Sequence, residues 1–168
     1  GFGNIILQAT NDITVNSAFD TNVATGNTGV NLTMEADRSI HVNAAITTHN
    51  ADITLTADKD GVGEGYIYLN ANGDLNANGG TINLNGDRTY AYNGNVVESS
   101  NGTVNVNTTY LFGYNGSTIS SNSGNINVNS NYLYDYGTNI DAGSGNRVFN
   151  INDYYLYHDL TSSQLGSI

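Results

Sequence analysis

The sequence predicts an all-β fold: one right-handed parallel β-helix over residues 1–168, with about seven three-sided coils of 21–29 residues. Three observations carry this. TINLN at 81–85, TVNVN at 103–107 and NINVN at 125–129 recur at a 22-residue step. Each repeat holds three short stretches in which apolar and polar residues alternate, the period of a strand with one buried face. The composition supplies corners rather than helices: 29 Asn, 20 Gly and no Pro. A unit of this size cannot bury its own apolar face, so it must stack on copies of itself.

The coils start near residues 5, 32, 53, 82, 104, 126 and 149. Side one of each is an apolar pair: Ile5/Leu7, Leu32/Met34, Ile53/Leu55, Ile82/Leu84, Val104/Val106, Ile126/Val128 and Phe149/Ile151. Stacked at about 4.8 Å, these pairs become ladders, with Ile82, Val104 and Ile126 in one and Leu84, Val106 and Val128 in the next. Gly80, Gly102 and Gly124 precede them in step. Eight and ten residues after each start comes side two: Ile13/Val15, Ile40/Val42, Tyr90/Tyr92, Phe112/Tyr114 and Tyr134/Tyr136. Side three supplies Phe19, Ile46, Val96, Ile119 and Ile140. Two insertions explain the long steps. Residues 21–29 lengthen coil one, and residues 58–65 (DKDGVGEG) displace the later sides of coil three to Ile67/Leu69 and Leu75.

Corners of such a coil need left-handed backbone, which Gly and Asn tolerate. Asn83, Asn105 and Asn127 alternate with the apolar positions, where stacked amides can hydrogen-bond from coil to coil. Tyrosines keep the same step. Tyr92, Tyr114 and Tyr136 form one column, Tyr90, Phe112 and Tyr134 another, and Tyr110, Tyr132 and Tyr154 a third. The offset of the first half, carried forward, points the first two columns inward. The opposite parity would bury Leu111 and Leu133, but also Asp135, whose charge is costly without a partner. Inward rings are therefore expected, as a packing ladder that stiffens the rod. The Tyr110, Tyr132 and Tyr154 column stays outside as a surface for contact.

The phrases NIILQATNDITVNSA, NLTMEADRSIHVNAAITT, DITLTADKDG, GTINLNG and GNINVNS resemble the filamentous-haemagglutinin (haemagglutination-activity) family, the exoproteins of bacterial two-partner secretion. The resemblance covers nearly the whole chain and implies a β-helix shaft, secreted or held at the bacterial surface. The shaft would act as an adhesin, a biofilm-matrix component or a stalk. The family's secretion domain with its NPNG-type signature is absent, and the chain would be a piece of the shaft. The resemblance transfers no catalytic residue.

Charge narrows the function further. Fifteen acids against four Lys and Arg give −11, which argues against nucleic-acid backbones and anionic membranes. No apolar run approaches the roughly 20 residues of a membrane span. Without Cys there is no disulfide, thiolate metal site or Cys nucleophile. Polysaccharide enzymes of this fold need converging carboxylates, whereas Asp12, Asp20, Glu35, Asp37, Asp52 and Asp58 share no column. Glu35 and Asp37 beside Arg38 read as a solvated corner. His41, which should face outward, His49 and His158 form no metal-ligand pair. Asp58, Asp60 and Glu64 cluster hard oxygen ligands within seven residues, a weak calcium candidate. Their spacing fits no EF-hand, and a solvated acidic loop is the simpler reading. No cofactor is expected.

The sequence thus points to a non-enzymatic, secreted structural and adhesive rod. Its partners would be neighbouring coils or copies end to end, and glycans or cell-surface receptors. The alternative is an extracellular filament subunit that stacks through uncapped strand edges, since no helix-forming cap is visible at either end. A polysaccharide-degrading enzyme ranks below both.

Overall fold

The structure is a computed structural model that describes residues 4–21 and 29–157. Short alternating segments form strands throughout, and the described residues contain no helix. Coil one comprises β1 (Ile5–Ala9), β2 (Ile13–Val15) and β3 (Phe19–Asp20). Coil two has β4 (Leu32–Ala36), β5 (Ile40–Val42) and β6 (Ile46–Thr47), and coil three β7 (Ile53–Ala57), β8 (Tyr66–Leu69) and β9 (Leu75–Asn76). From coil four onward, sides one and two fuse into single ten-residue strands: β10 (Ile82–Ala91), β12 (Val104–Gly113), β14 (Ile126–Asp135) and β16 (Arg147–Leu156). Side three continues as β11 (Val96–Glu98), β13 (Thr118–Ser120) and β15 (Asn139–Asp141).

Every pairing is parallel, and each strand lies on its counterpart one coil away. Two sheets result. One of ten strands carries sides one and two, and one of six strands carries side three, in coil order. The protein is a parallel β-helix solenoid. Side one keeps the expected register: Ile5, Leu32, Ile53, Ile82, Val104 and Ile126 form one ladder, and Leu7, Met34, Leu55, Leu84, Val106 and Val128 the next. From coil two to coil six these residues are almost fully buried. Each contributes about 1.5–3 kcal/mol by leaving water.

Two expectations about register fail. Coil seven begins at Arg147, which pairs with Ile126, so Phe149 lies on Val128 and Ile151 on Ser130. On side three Val97, with no exposed surface, faces the core beside Leu75 and Ile119, while Val96 is only half-buried. The glycine column marks coil seven correctly. Gly80, Gly102, Gly124 and Gly145 each sit two residues before the start of side one. A Cβ on Gly102 or Gly124 would come within 2.1 or 1.9 Å of the carbonyl oxygen of the glycine one coil below. Stacked backbones approach too closely there for any side chain. At the corner between sides two and three the requirement is conformational. Gly94 and Gly116 have φ of 77° and 79°, which side chains rarely adopt.

The expected amide ladder is present. Asn105 Nδ2 donates to Asn83 Oδ1 and Asn127 Nδ2 to Asn105 Oδ1, both at 2.8 Å. Asn107, Asn129 and Asn150 continue a parallel ladder from Asn85. At the edge of side two, Asn43 and Asn70 do the same from Asn16. Most of the 21–29 insertion, His158 and the segment after it lie outside the described residues. The 58–65 insertion bulges between β7 and β8 without disturbing the register of either.

Candidate functional site

The aromatic columns of side two face outward, opposite to expectation. In the first half, side one ends at an inward Ala36 and side two begins at Ile40, four residues on. In coils five and six the corresponding step runs from Thr108 to Leu111 and from Ser130 to Leu133, three residues. A corner one residue shorter inverts every side chain that follows. Leu111 and Leu133 are therefore buried, at 1% and 4% exposure, and the rings stand outside. The shorter corner is closed by hydroxyls. Thr108 Oγ1 donates to the Tyr110 carbonyl at 3.0 Å, and Ser130 Oγ to the Tyr132 carbonyl at 2.8 Å. In the first two coils that position is Ala9 and Ala36, and the corner has the longer form.

The inversion buries Asp135, at 6% exposure, as that parity required. Its charge is met by partners. Oδ1 accepts the backbone N–H groups of Gly137 and Thr138, both at 2.9 Å, and Oδ2 accepts the Tyr154 hydroxyl at 2.8 Å. Room for this corner comes from Gly113, where a Cβ would strike Thr138 Oγ1. Tyr154 accordingly leaves the column assigned to it. It pairs with Leu133 on the inner side, and Asp153 takes the place next to Tyr132. Burial, then Asp135, pushes the Tyr154 phenol well above its ordinary range.

What remains outside is a strip three columns wide. Its central column stacks His41, Tyr68, Tyr90, Phe112, Tyr134 and Tyr155, with centroids 4.6–5.0 Å apart and planes within 11°. A second column stacks Tyr92, Tyr114, Tyr136 and Tyr157 at 4.5–5.2 Å, continuing the line that Asn16, Asn43 and Asn70 occupy below. In the third, the Arg88 guanidinium lies between Tyr66 and Tyr110, 5.1 and 5.2 Å from their ring centres, and Tyr110 stacks on Tyr132 at 4.9 Å. Arg88 thus takes a ring's place with a planar cation. Eleven of the twelve tyrosines belong to this strip. Desolvation by neighbouring rings raises the phenols of Tyr68, Tyr92, Tyr114 and Tyr134.

The other sequence-picked groups go separate ways. Asp58 Oδ1 accepts from the Gly63 N–H at 3.1 Å, Asp60 Oδ1 from the Val62 N–H at 3.3 Å, and Glu64 reaches Arg88 at 3.5 Å. These three acids do not converge on a common point, and among the described residues no group of three or more His, Asp or Glu side chains does so. A shallow cleft lined by Gln8, Glu35, Asp37 and Lys59 lies at the side-one corner. Its Glu35 is bound by Lys59 and by Gln8, whose hydrogen bonds lower its carboxyl pKa. Arg38 pairs with Asp12 of the coil below, mainly through a hydrogen bond that lowers that carboxyl too. The solvated corner read around Glu35, Asp37 and Arg38 is therefore a pair of inter-coil ion pairs. His41 faces outward as expected, and His49 Nε2 lies 2.8 Å from Asp20.

The sequence carried the tyrosine columns but not their facing. The hydroxyl residues Thr108 and Ser130 signal the shorter corner in hindsight. Compared with protein-family models, curated proteins and solved structures, this chain matches none.

Proposed function

We propose that the chain is a non-enzymatic segment of a secreted or surface-held bacterial shaft, a β-solenoid rod that gives length and stiffness and makes repeated weak contacts with its surroundings. One observation carries this reading: like stacks on like over most of the coils. Aliphatic ladders fill the interior, amide ladders line side one and aromatic ladders line side two. Each coil is bonded mainly to its two neighbours, so load along the axis is shared by many equivalent contacts. The resemblance to filamentous-haemagglutinin repeats supports the same role. The partners found for Asp12, Glu35 and Glu64 favour a structural over a catalytic use of the surface acids.

Single-molecule extension tests the reading. A coil of 22 residues releases about 70 Å of chain, so a pulled rod should give a sawtooth at that spacing. Smooth extension at low force would contradict it.

A second reading, end-to-end filament growth, draws on exposed apolar residues in the outer coils. Leu7 is 40%, Phe149 38% and Leu156 39% exposed, and among the described residues β1 and β16 each have a strand partner on one edge alone. It predicts particles that lengthen with concentration in light scattering. Monodisperse particles at all concentrations would remove it.

A further inference from the structure

Resting on the adhesive part of that reading, we propose that the aromatic strip of side two is a docking track for an uncharged, extended polysaccharide chain laid along the solenoid axis. The geometry of the rings sets the character of the surface. Neighbours sit one strand spacing apart, too close for rings to lie flat side by side on the sheet. They are forced into offset stacks, as the centroid distances of 4.5–5.2 Å and near-parallel planes record. Much of each face is taken by the next ring. The surface then shows ring edges and phenol hydroxyls in three adjacent rows that run parallel to the axis, with rings of neighbouring rows 5.9–6.4 Å apart. Such a surface repeats in one dimension at about 4.8 Å. It suits a polymer with a short repeat better than a compact ligand, which needs a concave site.

Charge selects among polymers. The strip carries one cation, Arg88, held between Tyr66 and Tyr110 and flanked by Glu64 and Asp87. The acids that give the net charge of −11 lie mostly on other faces, and their field repels polyanions. Area disfavours a protein partner. Three columns over five coils cover roughly 500 Å², below the ~800 Å² per partner of a stable protein interface. A sugar chain instead lays its C–H faces along the ring edges and its hydroxyls against the phenol rows, adding weak contacts coil by coil.

The test uses the whole chain with insoluble cellulose and chitin as probes. The tyrosine emission of this Trp-free protein reports on the strip directly. Retention on one of these polymers is expected, with release by the matching soluble oligosaccharide and little change up to about 0.5 M salt. The double variant Tyr110→Ser, Tyr132→Ser should weaken retention at least tenfold while keeping the parent circular dichroism. If that variant unfolds, Arg88→Gln with Tyr157→Ser at the strip's margins should show a smaller loss. Asn105→Ser with Asn127→Ser, on side one, should bind as the parent does. The proposal is overturned by no retention on either polymer, by equal retention of the folded strip variants, by salt-sensitive binding to alginate alone, or by dimerisation through the strip. Failure here with an intact sawtooth on extension would remove the ligand and leave the shaft.

Discussion

Leu111 and Phe112 are adjacent in β12 and face opposite ways, so a pair of substitutions reads out the facing of side two. Leu111 is 1% exposed and lies in register between Thr89 and Leu133. Leu111→Ala removes three buried carbons. At about 0.8 kcal/mol each that is ~2.4 kcal/mol of transfer free energy. The cavity term brings the expected loss to roughly 3–4 kcal/mol, because stacked coils above and below limit collapse. Phe112 is half-buried, stacked at 4.7 Å on Tyr90 and 4.8 Å on Tyr134. Phe112→Tyr adds a hydroxyl that its column mates already carry into solvent, and should change stability by less than about 0.5 kcal/mol. If the ring pointed inward, the same hydroxyl would be buried without a partner and cost about 1–3 kcal/mol. Urea denaturation followed by far-ultraviolet circular dichroism measures both, read as midpoint shifts at constant slope. A costly Phe112→Tyr together with a mild Leu111→Ala would refute the outward facing.

Other consequences can be measured in the same way. Gly124→Ala places a methyl 1.9 Å from the Gly102 carbonyl and should lower the midpoint more than Gly63→Ala, whose Cβ meets nothing; equal effects would deny the close stacking. Asp135→Ala leaves the Gly137 and Thr138 N–H groups and the Tyr154 hydroxyl without their acceptor and should cost about 2–4 kcal/mol, with Asp135→Asn recovering part of it; a neutral Asp135→Ala would show that the buried carboxylate is not held as described. Tyr68, Tyr92, Tyr114 and Tyr154 have phenols raised in the folded state by desolvation first. Groups raised on folding give stability that is complete below the unfolded value near 10 and is lost as pH rises through the folded values. The urea midpoint should thus fall above about pH 10, and a midpoint constant to pH 11.5 would contradict the desolvated ladders. Asp12, lowered by Arg38, has the opposite sense: its contribution is present above about pH 4 and fades as pH falls through its lowered folded value. Arg38→Gln should remove that acid-side dependence, and an unchanged profile would deny the ion pair's role.

Side one was legible because its pattern is strictly local. Ile82, Val104 and Ile126 share a spacing, and period-2 alternation fixes which residues point in. Side two was legible in content but not in facing. Its parity depends on whether three or four residues make the corner, and Ala36-to-Ile40 spacing was carried into coils where Thr108 and Ser130 make a tighter bend. The objection to the outward parity rested on Asp135 alone. Its relief comes from Tyr154 and two backbone N–H groups, and the tyrosine lies 19 residues away in the next coil. Coil seven was misplaced because Phe149 and Ile151 mimic an apolar pair, while Gly145 held the true phase. The calcium set rested on spacing within one loop, where one oxygen of each acid is hydrogen-bonded to the loop backbone or to Arg88 and the three do not converge.

The stacking of coils is tested most directly by one distance. Thr33 and Asn127 are 94 residues apart but occupy the same outward column, four coils from each other, through Thr54, Asn83 and Asn105. With Thr33→Cys and Asn127→Cys as the chain's only thiols, nitroxide labels read by pulsed electron resonance should give a narrow distribution centred near 20 Å, four strand spacings of about 4.8 Å. A broad distribution, or a centre beyond about 30 Å, would contradict the solenoid and the shaft function built on it.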